Sequence, residues 1–231
     1  MGAAPLFHLP VYSLETAELP LYWLLGGLSG LLCTAFAYTN EASATAIRGL
    51  QDRGVPSWTL PAFGGLLSGL ASLIYPEIRY QAFDNVDAVL MSGINGAQEY
   101  VPELLFQIII AKILLTSICR NSGLVGGLYA PSIFMGASLG LAFGNVVDTA
   151  AGGVFDLSPQ SAYALVGVAA VIAGNCRVPL TAILLLFELT RDYTIILPTL
   201  GAVGLSYWVS IALEPAAKKG PKEGGNATKP A

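Results

Sequence analysis

Apolar runs of membrane-spanning length alternate with short polar stretches, and this pattern predicts helices along most of the chain. Residues 19–40 carry no charge, about the length a helix rising 1.5 Å per residue needs to cross the hydrocarbon of a bilayer. Tyr22 and Trp23 near its start suit an interfacial belt. The polar stretch Glu41–Arg53 continues this helix up to a turn at Gly54-Val55-Pro56, and a second uncharged run covers Gly54–Pro76. Residues 77–103, with Glu77, Asp84, Asp87, Glu99 and Glu103, read as an aqueous connection holding one short helix. A helix then runs from Leu104 to about Cys119, interrupted by Lys112 and closed by Arg120. For Lys112, snorkelling or an ion pair is favoured over a place facing a cavity. After a polar loop at Asp148–Asp156, Leu157–Cys176 is uncharged, Pro179 opens a helix reaching Thr190, and Tyr193–Leu213 forms the last one. Glu188, Arg191 and Asp192 form a polar cluster at the far end of the Pro179 helix, where residues three apart share a face.

The stretch Arg120–Gly144, RNSGLVGGLYAPSIFMGASLGLAFG, departs from this regularity. Glycines precede Ala130-Pro131, then an apolar run places Gly136, Gly140 and Gly144 four apart, with no charge between Arg120 and Asp148. Pro131 suits the first turn of a helix, where an amide would have no intrahelical partner. An irregular backbone at membrane depth must be buried in protein or line a polar cavity. A helix start with bare amides attracts an anion, so Gly126, Gly127, Leu128, Tyr129, Ala130 and Pro131 make a candidate anion-site loop. The alternative for residues 126–131 is a glycine-rich connection between packed membrane helices. Small residues in GGLSGLL (26–32) and GGLLSGL (64–70) suit close helix approach. Short, Gly/Pro-broken apolar segments of this kind point to transporters with discontinuous helices and a central site.

Composition narrows the class. Charged residues are 11% of the chain and apolar residues 54%, against about a quarter charged in soluble domains, and mean hydropathy is +0.64. A polytopic all-α membrane protein follows, and a basic footprint for nucleic acid is missing. Cys33, Cys119 and Cys176 are scattered, show no metal-ligand spacing, and read as small buried hydrophobes. His8 is the only histidine, so no metal or cofactor is expected. Gly27-Leu28-Ser29-Gly30 has the shape of an intramembrane serine-protease motif, but a nucleophilic serine needs a base within hydrogen-bond reach. Histidine does not occur beyond position 8, and no enzyme is expected. Residues 1–18 form an N-terminal tail without a signal-peptide pattern. Residues 19–213 form the membrane domain, and residues 214–231 a Lys/Gly/Pro-rich disordered tail. Lys218, Lys219, Lys222 and Lys229 favour a cytoplasmic-type side for that tail.

Two motifs together resemble the CLC family of chloride channels and chloride/proton antiporters. NSGLVGGLYAPSIFMGASLG is similar to its GxFxP hallmark, here Gly127-Leu128-Tyr129-Ala130-Pro131. NCRVPLTAILLLFELTRDYTIILP resembles its later signature, and the similarity extends from about Tyr12 to Ser210. Tyr129, preceded by LVGG, is similar to the plant and cyanobacterial branch. The resemblance implies that the backbone amides of Leu128 and Tyr129 bind chloride, with Gly126 and Gly127 shaping the turn. It also implies a homodimer interface built by the helices of Thr181–Thr190 and Ile195–Ser210. The family's first-half motifs, its gating and proton-relay glutamates, the chloride-coordinating tyrosine of its final helix and its CBS pair have no match here. The expectation is therefore the C-terminal inverted-repeat half of the fold, with broken or re-entrant helices, in a multi-pass membrane protein, with a chloroplast or thylakoid membrane as one location. Chloride or another small anion is its substrate, and its partners are the bilayer and either a second copy or a chain supplying the first half. The alternative is a non-transporting subunit associated with a full-length CLC protein.

Overall fold

The computed structural model describes residues 18–56, 58–74, 102–124, 126–151, 158–190, 193 and 195–214. Among these residues the chain is helical, without strands: α1 (Leu19–Asp52), α2 (Thr59–Ile74), α3 (Pro102–Asn121), α4 (Tyr129–Ala151), α5 (Gln160–Cys176), α6 (Pro179–Thr190) and α7 (Ile196–Ala212). His8, the acidic connection up to Val101, Arg191, Asp192 and nearly all of the C-terminal tail lie outside the described residues. Among the described residues, α1 and α4 alone are long and apolar enough to cross a membrane, and α2, α5, α6 and α7 are shorter apolar helices. This mixture fits the expectation of broken helices.

The architecture is organised around α5, which is buried without interruption from Ser161 to Gly174. A helix apolar on all sides belongs inside a bundle, and α1, α4, α6 and α7 pack around this one. The closest approach is with α4. A Cβ on Gly136 would stand 2.6 Å from both the Gly167 carbonyl oxygen and the Val168 Cα, and one on Gly167 would stand 2.5 Å from the Gly136 oxygen. The four-residue glycine stripe therefore lets two backbones touch, which is how membrane helices gain dispersion contact without a hydrophobic drive between them. Gly26 and Gly30 play the same part between α1 and α7, against Ala202 and Val209. In the second string only Gly64 does the same, against Ser122 and Leu124 at the end of α3, while Gly65 and Gly69 on α2 face open space.

Three local expectations need correction. Tyr22 is not at an interface: it is fully buried and stacks on Tyr163, with ring centroids 4.7 Å apart. Trp23 beside it is half exposed. Asp148 does not begin a loop, since α4 continues through it to Ala151. There Thr149 donates to the Asn145 carbonyl at 2.7 Å, and Gln160 donates to Asp148 at 3.3 Å. Of the two readings favoured for Lys112, an ion pair or snorkelling, the snorkelling to water does not hold. Lys112 is 6% exposed, and its Nζ stands 5.2 Å from the centroid of the Phe134 ring, a cation–π contact.

Glu18, read from the sequence as part of the tail, is the residue before α1 and is buried. Its carboxylate accepts the Ser158 amide at 2.8 Å and also the Ser158 hydroxyl. This fastens the start of α1 to the turn that opens α5. Ser29 is completely buried with no hydrogen-bond partner, in the helix face that meets α7, and no histidine occurs among the described residues.

Candidate functional site

The break between α3 and α4 is built by its own residues. The Ser122 amide donates to the Ile118 carbonyl at 2.9 Å, and the Leu124 amide to the Cys119 carbonyl at 3.2 Å. Gly123 between them takes φ +94°, a left-handed conformation that suits glycine at a helix C-terminus. Gly123 is thus the glycine that closes α3, and Gly126 and Gly127 follow it ahead of the next helix. Both are exposed, and a Cβ added at either would meet nothing within 4 Å, so their contribution is open space in front of the following amides.

The helix restarts at Tyr129, with the Ser132 amide donating to the Leu128 carbonyl at 3.1 Å. Pro131 is the third residue of the helix, inside the first turn as its missing amide requires. The amides of Leu128, Tyr129 and Ala130 find no acceptor among the described residues, whether backbone or side chain. Ser132 in the first turn uses its Oγ to accept from Asn175 Nδ2 at 3.1 Å. That bond ties the last turn of α5 to the first turn of α4, so the tip is held from behind and left bare in front.

A cavity of about 380 Å³ lies at this tip. Of the six residues read from the sequence, Leu128 lines it; Gly126, Gly127, Tyr129, Ala130 and Pro131 do not. Leu128 also packs against the apolar cluster containing Phe36, Met135 and Val171, which fixes where the tip sits. The other walls come from the second half of α1 (Asn40, Glu41, Arg48), the end of α3 (Arg120, Asn121), the α5–α6 junction (Asn175, Arg177) and the end of α7 (Ser210, Glu214). Asn121 Nδ2 donates to the carbonyl and side-chain oxygens of Asn40, both at 3.0 Å, and to the Ser117 carbonyl at 2.8 Å. Arg177 ion-pairs with Glu214 and is the only non-glycine among the described residues with positive φ, at 59°. The pair ties the α5–α6 junction to the residues just after α7.

The arrangement offers an anion a bare helix N-terminus, side-chain amides and guanidinium groups in one water-accessible hollow. Sequence reasoning found the tip but missed Arg48, Asn40, Asn121 and Asn175. These residues lie in different polar stretches, and no local spacing links them.

A bundle of short, broken apolar helices with a helix tip opening into a polar hollow has the architecture of the discontinuous-helix class of membrane folds. The comparisons with known proteins make this specific. The model of the voltage gated chloride channel family matches residues 1–211, and the chain belongs to that family. It is 43% identical over 219 residues to chloride channel protein CLC-e of Arabidopsis thaliana, covering 91% of this chain and 31% of that protein. It is 33% identical to the H+/Cl− exchange transporter ClcA of Citrobacter koseri, covering 85% of this chain and 40% of that one. The fold matches that of a slow cyanobacterial Cl−/H+ antiporter with a TM-score of 0.69 at 23% identity, covering 87% of this chain and 45% of that chain. It matches that of a CLC-type fluoride/proton antiporter with a TM-score of 0.66 at 18% identity, covering 90% and 48%. The chain thus has the all-α polytopic fold of CLC transporters, and it spans about a third of the length of the curated plant relatives it matches.

Proposed function

We propose that this chain forms one wall of a CLC-type pathway that carries chloride, or another small anion, across a membrane as a channel or a chloride/proton antiporter. The observation that carries the reading is the uncapped start of α4, where the amides of Leu128 and Tyr129 are without acceptors among the described residues and Leu128 borders the cavity. Gly126 and Gly127 keep the approach clear, and Ala130 and Pro131 set the helix going. One helix end contributes about 0.3–1 kcal/mol to an anion, and up to about 2 kcal/mol when partly buried. Stripping a small anion of its water costs far more. The exposed side of the tip therefore needs donors from a complementary half, supplied by another part of the same polypeptide or by a second chain.

A homodimer joined through α6 and α7 accords with the exposed Leu180, Leu184, Leu197, Leu200 and Trp208 on those helices. An organelle membrane such as that of the chloroplast is the location this reading adopts. The reading includes no enzymatic step and no cofactor. Reconstitution into chloride-loaded liposomes tests it. The chain alone is expected to release little chloride, and co-reconstitution with a first-half polypeptide to restore selective efflux. Absence of efflux from the combined halves would overturn transport and leave the second reading, a non-transporting subunit that co-purifies with a full-length CLC protein.

A further inference from the structure

The seam between α3 and α4 holds a charged residue where an aliphatic one would pack. Lys112 is buried midway along α3, in a stretch whose Leu105, Ile108, Ile109 and Ile113 are buried as well. Taking an ammonium out of water costs free energy that its surroundings must offset, and ionisable residues inside membrane bundles mark functional places. One group that offsets the cost here is the ring of Phe134, with Nζ 5.2 Å from its centroid. A cation within about 6 Å of an aromatic centroid is attracted by the ring quadrupole, more strongly where water is excluded, and Phe134 is buried.

The position of this contact along α4 gives it a consequence for the tip. Phe134 stands about 7.5 Å farther along the axis than Tyr129, at 1.5 Å per residue, so Lys112 grips α4 in its second turn. In the first turn, Ser132 accepts from Asn175 at the end of α5. Two neighbours therefore hold the start of α4, one of them the helix on the other side of the break. Apolar burial is non-directional, whereas a cation on a ring face fixes how that face is turned. Successive residues of a helix are turned by about 100°, so which amides at the tip meet the cavity depends on the rotation of α4 about its axis.

We infer that Lys112 is a positioning residue for the anion site: its ammonium, seated on the Phe134 ring, holds α4 in the rotation that turns the Leu128 and Tyr129 amides to the cavity. This rests on the reading of the tip as an anion site and deepens it by naming what aims the donors. Neither Lys112 nor Phe134 lines the cavity, so the effect runs through the helix and not through contact with the anion. A desolvated contact of this kind favours one arrangement over another by up to about thirtyfold, and apparent affinity falls with the fraction of protein in the competent arrangement.

The test weakens the ring's attraction while keeping its shape. Mono-, di- and trifluorinated phenylalanine are placed at position 134 of the full chain, and bromide is titrated in detergent at constant ionic strength. Bromide binding is expected to weaken with each fluorine, by about fivefold or more over the series. K112M should weaken it by a comparable factor, and K112R should restore it, because a guanidinium also seats on an aromatic face. In K112M the fluorine series should have no further effect, as coupled partners require. Phe143, also on α4, packs on the ring of Tyr163 with centroids 5.9 Å apart, and trifluorinating it should leave bromide binding unchanged whatever it does to the melting temperature. If K112M fails to fold, the fluorine series and K112R decide the matter, since both keep a cation at position 112. A flat series at Phe134 in a protein that binds bromide overturns the role of Lys112 and leaves the tip reading standing. The same slope in K112M, or an equal slope at Phe143, also overturns it, because the ammonium would then not be what the ring senses. A parent chain that binds no bromide overturns the tip reading and this role with it.

Discussion

Replacing Gly136 by alanine adds one methyl group where the backbones of α4 and α5 meet. The new Cβ would lie 2.6 Å from the Gly167 carbonyl oxygen and the Val168 Cα, whereas carbon contacts settle at about 3.5–4.0 Å. The helices must part by about 1 Å. The obstacles are main-chain atoms in a helix buried along its length, so no rotamer change absorbs the overlap. Overpacking costs about 1–3 kcal/mol, and the backbone clash places this case at about 3 kcal/mol, or a melting temperature lower by about 6–12 °C. The displacement also reaches the proposed anion site, because α4 carries the Leu128–Tyr129 tip at its start. G136A should therefore lower both thermal stability and bromide affinity, read by thermal unfolding in detergent and by titration at constant ionic strength. Gly65 is the control. It is also a helical glycine, but a Cβ there meets nothing within 4 Å, so G65A should gain up to about 1 kcal/mol from helix propensity. If G136A melts with the parent and binds bromide equally, the idea that α5 positions the tip through glycine contact is wrong.

Other substitutions probe separate joints of the fold. E18A removes the buried carboxylate that accepts both the amide and the hydroxyl of Ser158, and it should cost about 1–3 kcal/mol, with S158A costing less; equal melting of E18A and parent would deny the clasp. Arg177 holds φ 59° while paired to Glu214, so R177A and R177G lose the same pair but only alanine keeps the strained backbone. R177G should be the more stable of the two by about 1 kcal/mol, which chemical denaturation can resolve. Cys33 is 3% exposed, packed beside Gly174 and Ser206, whereas Cys119 and Cys176 are half-buried. Maleimide should label Cys33 last and only as the protein unfolds, and early labelling of Cys33 in single-cysteine variants would contradict the packing of α1 on α5.

The parts of this structure that were legible in the sequence are those set by local chemistry. Pro131 and Pro179 mark helix starts, and the structure places them third in α4 and first in α6. The glycines at 26 and 30 announce a close helix contact, and α1 runs through its polar half to Asp52 as the pattern predicts. What was hidden depends on which helices meet. Tyr22 has the polar tip of an interfacial residue, and only the stacking partner Tyr163, on α5, makes it a core residue. Lys112 reads as an interruption until Phe134 is placed beside it. The cavity lining comes from four separate polar stretches, so neither Arg48 nor Arg120 could be matched to Leu128 by spacing. The exposed glycines 65 and 69 show the converse, small residues that meet no neighbour among the described residues although Gly64 beside them packs on Ser122 and Leu124.

The account stands on two main-chain donors, and replacing one of them by oxygen tests it most directly. Incorporating the α-hydroxy analogue of tyrosine at position 129 exchanges the Tyr129 amide for an ester, which deletes the N–H and leaves the side chain. Since that amide has no acceptor among the described residues, the exchange should leave the melting temperature near the parent value while weakening bromide binding about tenfold, a difference of about 1.4 kcal/mol, with Y129L close to the parent. Undiminished bromide binding by the ester protein would contradict the claim that the start of α4 holds the anion.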